Sequence, residues 1–239
     1  MSSWIEFKYS NPTIGFLTRK PTVGPELDMI KREARGIIDL FVQRGLGIAV
    51  FWEPKVDVGF PDLVLALFSA SVYVQWTKTR STLTNTDLKI VHQLYNSRGM
   101  SSTGLEKKLG YSNLQVKRSI EKLSDSNLIH WANSQWRLRS FSEIYGIRKL
   151  IAIEAKIANW AEAFMQAKTN MWFASESYVL SPVVQPRVST QDQSAAYNVG
   201  ILTCGNSGLQ KIALGSYNRL PASYASWQFN EWIGRTLNQ

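Results

Sequence analysis

Cysteine is almost absent from this sequence: Cys204 is the only one in 239 residues. That excludes a disulfide framework and a cysteine-ligated metal centre. Histidine is nearly as scarce, and His92 and His130 cannot build a histidine-rich zinc site. No apolar run approaches the roughly eighteen residues of a membrane-crossing helix, and Met1 to Lys8 lacks the basic-then-apolar layout of a secretory signal. No internal repeat, Walker loop or GxGxxG motif is found. These absences predict a soluble, cytoplasmic protein without a membrane partner. Acidic residues are also in short supply, 18 against 27 Lys and Arg, for a net charge of +9 and a pI near 9.7. That balance favours a polyanionic partner, although charge alone fixes neither fold nor sequence preference.

Aromatic residues are plentiful: 9 Trp, 9 Tyr and 10 Phe in a chain that is 44% hydrophobic. The composition is that of a folded chain with one good core, or a core plus a small second domain. Pro12, Gly15, Pro21, Gly24 and Pro25 make the opening segment irregular. A helix is predicted from Glu26 to about Gln43, stopped by Gly45, with Leu27, Ile30, Ala34, Ile37, Ile38 and Phe41 at three- and four-residue spacing. Glu33 falls on that stripe, an unusual place for a carboxylate. Glu26 is roughly in phase too, but stands at the helix start, where the dipole favours an acid anyway.

Strands are predicted at Gly47–Trp52, Asp62–Leu67 and Val72–Trp76, followed by a polar linker, Lys78–Thr82. Ile151–Ile157 is a further apolar strand that presents Glu154 and Lys156 at i and i+2, hence on one face. A helix from Asn159 to about Trp172 follows, with Trp160, Ala163, Phe164, Ala167 and Met171 on one side and Gln166 and Lys168 flanking it. Strands at Tyr178–Pro182 and Asn198–Cys204, a loop at Gln185–Gln193, a hairpin partner at Leu209–Leu214 and a helix at Ser226–Leu237 complete the reading.

Between Thr84 and Arg139 the pattern changes. Helices are predicted at Asp87–Ser97, Thr103–Leu109 and Ser112–Ser124, the last with apolar Leu114, Val116, Ile120 and Leu123. Two short strands, Leu128–Trp131 and Gln135–Arg139, follow around an Ala132-Asn133-Ser134 turn.

Pro61-Asp62 opening one hydrophobic strand after a Val58-Gly59-Phe60 turn, and Glu154-Ala155-Lys156 closing another, resemble the signature of the PD-(D/E)xK nuclease superfamily. Each part has a plainer reading. Pro-Asp is a common turn or strand cap, Glu-x-Lys is commonly an exposed pair, Glu33 could pair with Lys31 or Arg32, and Gln166 could be a solvated helix position. The joint order of helix acid, Asp strand, Glu-x-Lys strand and following helix carries the resemblance.

The resemblance implies an α/β, restriction-endonuclease-like mixed sheet flanked by helices, formed by residues 1–80 and 146–239. An inserted winged helix-turn-helix domain, similar in its three helices and hairpin, would occupy 81–145. It implies a metal-dependent DNA endonuclease in which Asp62, Glu154, Glu33 and the Ala155 carbonyl hold Mg²⁺ or Mn²⁺. Lys156 would orient water and stabilise phosphate charge, and Gln166 and Lys168 would approach the scissile strand. In the insert, Asn113, Gln115, Lys117, Arg118 and Lys122 would face the major groove, and Arg137 and Arg139 would grip the backbone. His92 and His130 read as structural, and the tryptophans chiefly as core. DNA is the implied partner; a homodimer and an ATPase or targeting protein remain compatible. The rival reading is a non-cleaving DNA-binding regulator, or a partner-dependent subunit, on a nuclease-like scaffold.

Overall fold

The computed structural model describes residues 4–7, 10–18, 23–56, 59–205 and 208–238. Pro21 and the Val58 of the expected turn lie outside the described residues. In chain order the elements are β1 (Ile5–Phe7), β2 (Leu17–Thr18), α1 (Pro25–Phe41), β3 (Gly47–Trp52), β4 (Pro54–Lys55), β5 (Leu63–Phe68), α2 (Asn85–Ser97), α3 (Ser102–Leu109), α4 (Asn113–Asp125), β6 (Ile129–Ala132) and β7 (Gln135–Leu138). Then come α5 (Phe141–Ile144), β8 (Ile147–Ala155), α6 (Trp160–Asn170), β9 (Glu176–Ser181), α7 (Val188–Tyr197), β10 (Gly200–Gly205), β11 (Gly208–Ala213) and α8 (Tyr224–Leu237). Among the described residues no helix is long and apolar enough to cross a membrane.

The chain divides into two compact units, one built on a sheet and one on helices. The sheet unit comprises residues 1–10, 17–68 and 147–222. Its seven strands run in the order β1-β3-β5-β8-β9-β10-β11. β5 runs antiparallel to both of its neighbours, β3 and β8, whereas β8, β9 and β10 are parallel. Parallel neighbours need a crossover, and α6 and α7 supply those between β8, β9 and β10.

Strand alternation sorts side chains between the faces. Ile151, Ile153, Tyr178, Leu180 and Leu202 join Ile30, Ile37, Ile38 and Phe41 of α1 in one core cluster. Val179 and Ile201, the alternate positions, join Ala163, Phe164 and Ala167 of α6 in another. The sheet is thus a mixed sheet flanked by helices. β5 is apolar throughout because both of its faces are covered: every residue of Leu63–Phe68 is buried.

The helical unit comprises residues 11–16, 69–146 and 223–239. It therefore takes in more than the 81–145 expected from composition, and the side chains show why. The Arg80 guanidinium is buried, donating to Glu231 of α8 through Nη2 at 2.7 Å and Nε at 3.0 Å, and to the Ile144 carbonyl at 2.7 Å. Phe16 packs on Phe229 and Trp232, with ring centroids 4.5 and 5.1 Å apart, and Gln228 donates to the Ile14 carbonyl. Ile14, Phe16 and the last helix are thereby part of the core of this unit.

Two other expectations are corrected. Val72–Trp76 is not a strand: Ala70–Tyr73 is a 3₁₀ turn that buries Val72 and Tyr73, the latter donating through its hydroxyl to Asn230 at 2.9 Å. The polar stretch Gln185–Gln193 is not all loop, because α7 begins at Val188. The small face of α7, Thr190 and Ser194, is buried, and Ser194 donates to the Val199 carbonyl at 2.5 Å.

Candidate active site

Antiparallel register brings the acids together. Leu63 pairs with Trp52 on β3 and with Ile153 on β8, so the preceding position, Asp62, lies between Glu53 and Glu154 at one end of the sheet. The Glu53 amide donates to the Asp62 carbonyl at 3.1 Å. The Ala155 amide donates to Asp62 Oδ2 at 2.7 Å, fixing that carboxylate across the strands. Glu154, which alternation turns away from the α1 side, accepts from Asn170 of α6 through Oε1 at 2.6 Å. One oxygen of each carboxylate is thus committed, and both residues line a cavity of about 680 Å³.

Lys156 follows directly on β8, its amide continuing the ladder to the Leu180 carbonyl. Its ammonium lies 3.5 Å from Glu26 and 3.7 Å from Glu162. Glu26 stands in the first turn of α1 and Glu162 in that of α6, and both line the same cavity. Two helix N-termini therefore present their positive ends here, a setting that favours an anionic group.

Among the described residues, the cavity gathers five carboxylates, Glu26, Glu53, Asp62, Glu154 and Glu162, against the single ammonium of Lys156. The cost appears in the titration of the inner pair. Burial first, then the neighbouring carboxylates, raises Asp62 to about 6. Burial and the charge on Asp62 raise Glu154 to about 8. The hydrogen bonds from Ala155 and Asn170, and the Lys156 charge, act in the opposite direction but do not prevail.

Among the sequence-predicted residues, Asp62, Glu154, Lys156 and Gln166 line one cavity. The Gln166 amide donates to Glu162 at 3.3 Å. Glu33 does not belong with them. It is bound to Arg32 at 2.9 Å, and its carboxylate acts on Cys204 instead. Lys168 is also elsewhere, its ammonium 5.2 Å from the ring centre of Tyr197.

The helix acid at the site is Glu26, one full turn and more before Glu33; position at a helix start concealed it. Glu53 was missed as well. It is buried to 5% exposure in a left-handed conformation with φ of 41°. A lone Glu between an apolar strand and Pro54 gives no sequence signal of that.

In the helical unit, α4 is capped by Ser112 in a reciprocal capping box with Gln115, so the Gln115 amide oxygen is spent on the cap. Asn113 donates to Glu106 at 2.8 Å. Lys117, Arg118 and Arg139 are exposed, whereas Lys122 and Arg137 are half-buried. Leu114, expected in the core, is 55% exposed, because Val116, Ser119, Ile120 and Leu123 form the buried stripe.

The donor set suits a hard divalent cation. It offers carboxylate oxygens with no soft ligand, and its inner pair is costly to ionise without a counter-charge. Among the described residues no group of three or more His, Cys, Asp or Glu is arranged to hold a metal unaided. Asp62 and Glu154 would thus be two ligands of an ion that keeps water or substrate oxygens, as Mg²⁺ commonly does. Compared with protein families, curated proteins and solved structures, the chain finds no match.

Proposed function

We propose that this protein is a Mg²⁺- or Mn²⁺-dependent DNA endonuclease with a restriction-endonuclease-like sheet unit and a winged-helix module formed by α2–α4 and the β6–β7 hairpin. The observation that carries the reading is the meeting of Asp62, Glu154 and Lys156 at one sheet end, in the order expected of a PD-(D/E)xK site. The cation would neutralise phosphate charge and activate water.

The chain's own residues have definite tasks. Asp62, with Oδ2 held by the Ala155 amide, and Glu154, with Oε1 held by Asn170, would offer their remaining oxygens to the ion. Lys156, held between Glu26 and Glu162, would bind a non-bridging phosphate oxygen and stabilise the charge that grows there. The first turns of α1 and α6 lower the cost of bringing that phosphate into an acidic cavity. In the helical unit, Lys117, Arg118 and Arg139 are exposed cations suited to phosphate contacts.

The test is cleavage of supercoiled plasmid with Mg²⁺ or Mn²⁺. The unaltered protein nicks or linearises it, EDTA stops the reaction, and Lys156→Ala reduces the rate by at least about a hundredfold, the usual scale for losing one transition-state charge contact. Activity that survives Lys156→Ala would remove this assignment of the site. DNA binding without cleavage by either protein would leave the non-cleaving regulator or partner-dependent subunit as the reading.

A further inference from the structure

Beside the cavity at Asp62 and Glu154 lies a second, smaller one of about 260 Å³. The two share Phe60, Glu154 and Gln166 in their linings. The smaller lobe adds Gly59, Met165, Thr169 and Asn170. Its polar side is already partly spent, since Asn170 holds Glu154 and the Thr169 hydroxyl donates to the Met165 carbonyl at 2.9 Å. Gln166 stands at the seam between the lobes, its amide nitrogen donating to Glu162.

Its apolar members are the unusual ones. Phe60, two residues before Asp62, is 37% exposed, and Met165 on the outer side of α6 is 53% exposed. Among the described residues, Phe60 and Met165 lie outside the two core clusters of the sheet unit, and both line the smaller lobe. The Lys55 ammonium sits 5.7 Å from the Phe60 ring centre, bringing a cation to the same rim. A planar aromatic surface, a polarisable thioether, one amide and a nearby cation form the combination that receives an unpaired nucleobase together with its phosphate. A base in a continuous duplex is stacked and paired, and cannot enter such a lobe without being extruded.

We propose that this lobe is a nucleobase subsite. In it the base adjoining the scissile phosphate stacks on Phe60 against Met165, with Gln166 contacting its edge. The substrate class is then DNA with an unpaired nucleotide at the cut: a single strand, a flap, a frayed end or a locally opened stretch of a supercoiled plasmid. This rests on the nuclease reading for the word scissile, but base binding does not require cleavage.

The experiment separates the two. A protein carrying Lys156→Ala is titrated with Mg²⁺ present against a short single-stranded oligodeoxynucleotide containing 2-aminopurine, and against a blunt duplex of the same sequence. Stacking in the lobe quenches the 2-aminopurine fluorescence. Adding Phe60→Ala or Phe60→Leu weakens single-strand binding about tenfold, the loss expected for one base stack. Phe60→Tyr restores it, and duplex affinity stays within about twofold throughout. No single-strand binding, no quenching, or equal affinity with and without the Phe60 ring overturns the subsite. So does parallel weakening of strand and duplex, which would mark Phe60 as a structural residue or a general docking contact. A plasmid-cleaving enzyme indifferent to Phe60 loses the subsite and keeps the nuclease. A Phe60-dependent single-strand binder that never cuts loses the nuclease and keeps the subsite.

Discussion

Two buried carboxylates sharing a strand end hold either a proton or a cation, and Asp62 and Glu154 give that choice a pH scale. Their folded-state values, about 6 and about 8, lie above ordinary carboxylate values. A group with a raised folded value contributes stability that is complete below its unfolded pKa and is lost as pH rises through the folded one. In EDTA, therefore, the sheet unit loses stability as pH rises from about 4 to about 8. Divalent-ion affinity moves the other way, because a protonated carboxyl does not ligate. Melting curves should show Mg²⁺ or Mn²⁺ raising Tm at the alkaline end and having little effect at the acid end. Glu154→Gln should flatten both trends. A Tm in EDTA that rises steadily across that interval would contradict the buried-pair account.

At the scale of elements, α4 was legible from sequence because local and tertiary signals agree: Ser112 caps it, and Val116, Ile120 and Leu123 recur at helical spacing. Where they disagree, the reading failed. The residues at 72–76 have strand-like composition, yet Tyr73 is drawn into a hydrogen bond with Asn230, which is far away in sequence. α7 has only small polar residues on its buried side, so no apolar period announces it. The site divides in the same way. Asp62, Glu154 and Lys156 sit in strand patterns that imply a register, whereas Glu26 and Glu53 reach the cavity through a helix start and a left-handed turn, which no periodicity records. For α4 the DNA-binding proposal yields a number. Each phosphate contact contributes a slope of about 0.9 in log affinity against log salt on duplex DNA. Lys117→Ala with Arg118→Ala should therefore reduce the magnitude of the slope by about 2 if both cations meet phosphates. An unchanged slope would mean that this face of α4 is turned to something other than DNA.

At the scale of the molecule, the helical unit is tied together by groups from distant parts of the chain, and Arg80 with Glu231 is its buried knot. Removing one partner leaves an uncompensated charge inside, so Glu231→Ala should destabilise this unit by about 3–5 kcal/mol. Replacing the pair by Met and Leu should cost much less. Denaturant unfolding followed by tryptophan fluorescence would show the single variant melting early, with a lower midpoint than the double. Equal midpoints would mean that Arg80 finds water or another acceptor once Glu231 is gone.

The order of the strands has a consequence for synthesis. β5 pairs with β8, yet the whole of α2 to α5 is translated between them. For that interval a nascent chain carries Leu63-Val64-Leu65-Ala66-Leu67-Phe68 with one edge unpaired, a segment able to template pairing with another chain. The intervening helices make mostly local contacts and can gain structure early, but α8 completes their core only after β11 has emerged. Neither unit can be finished in the order in which it is made, so slowing translation within α2–α5 should increase aggregation rather than relieve it.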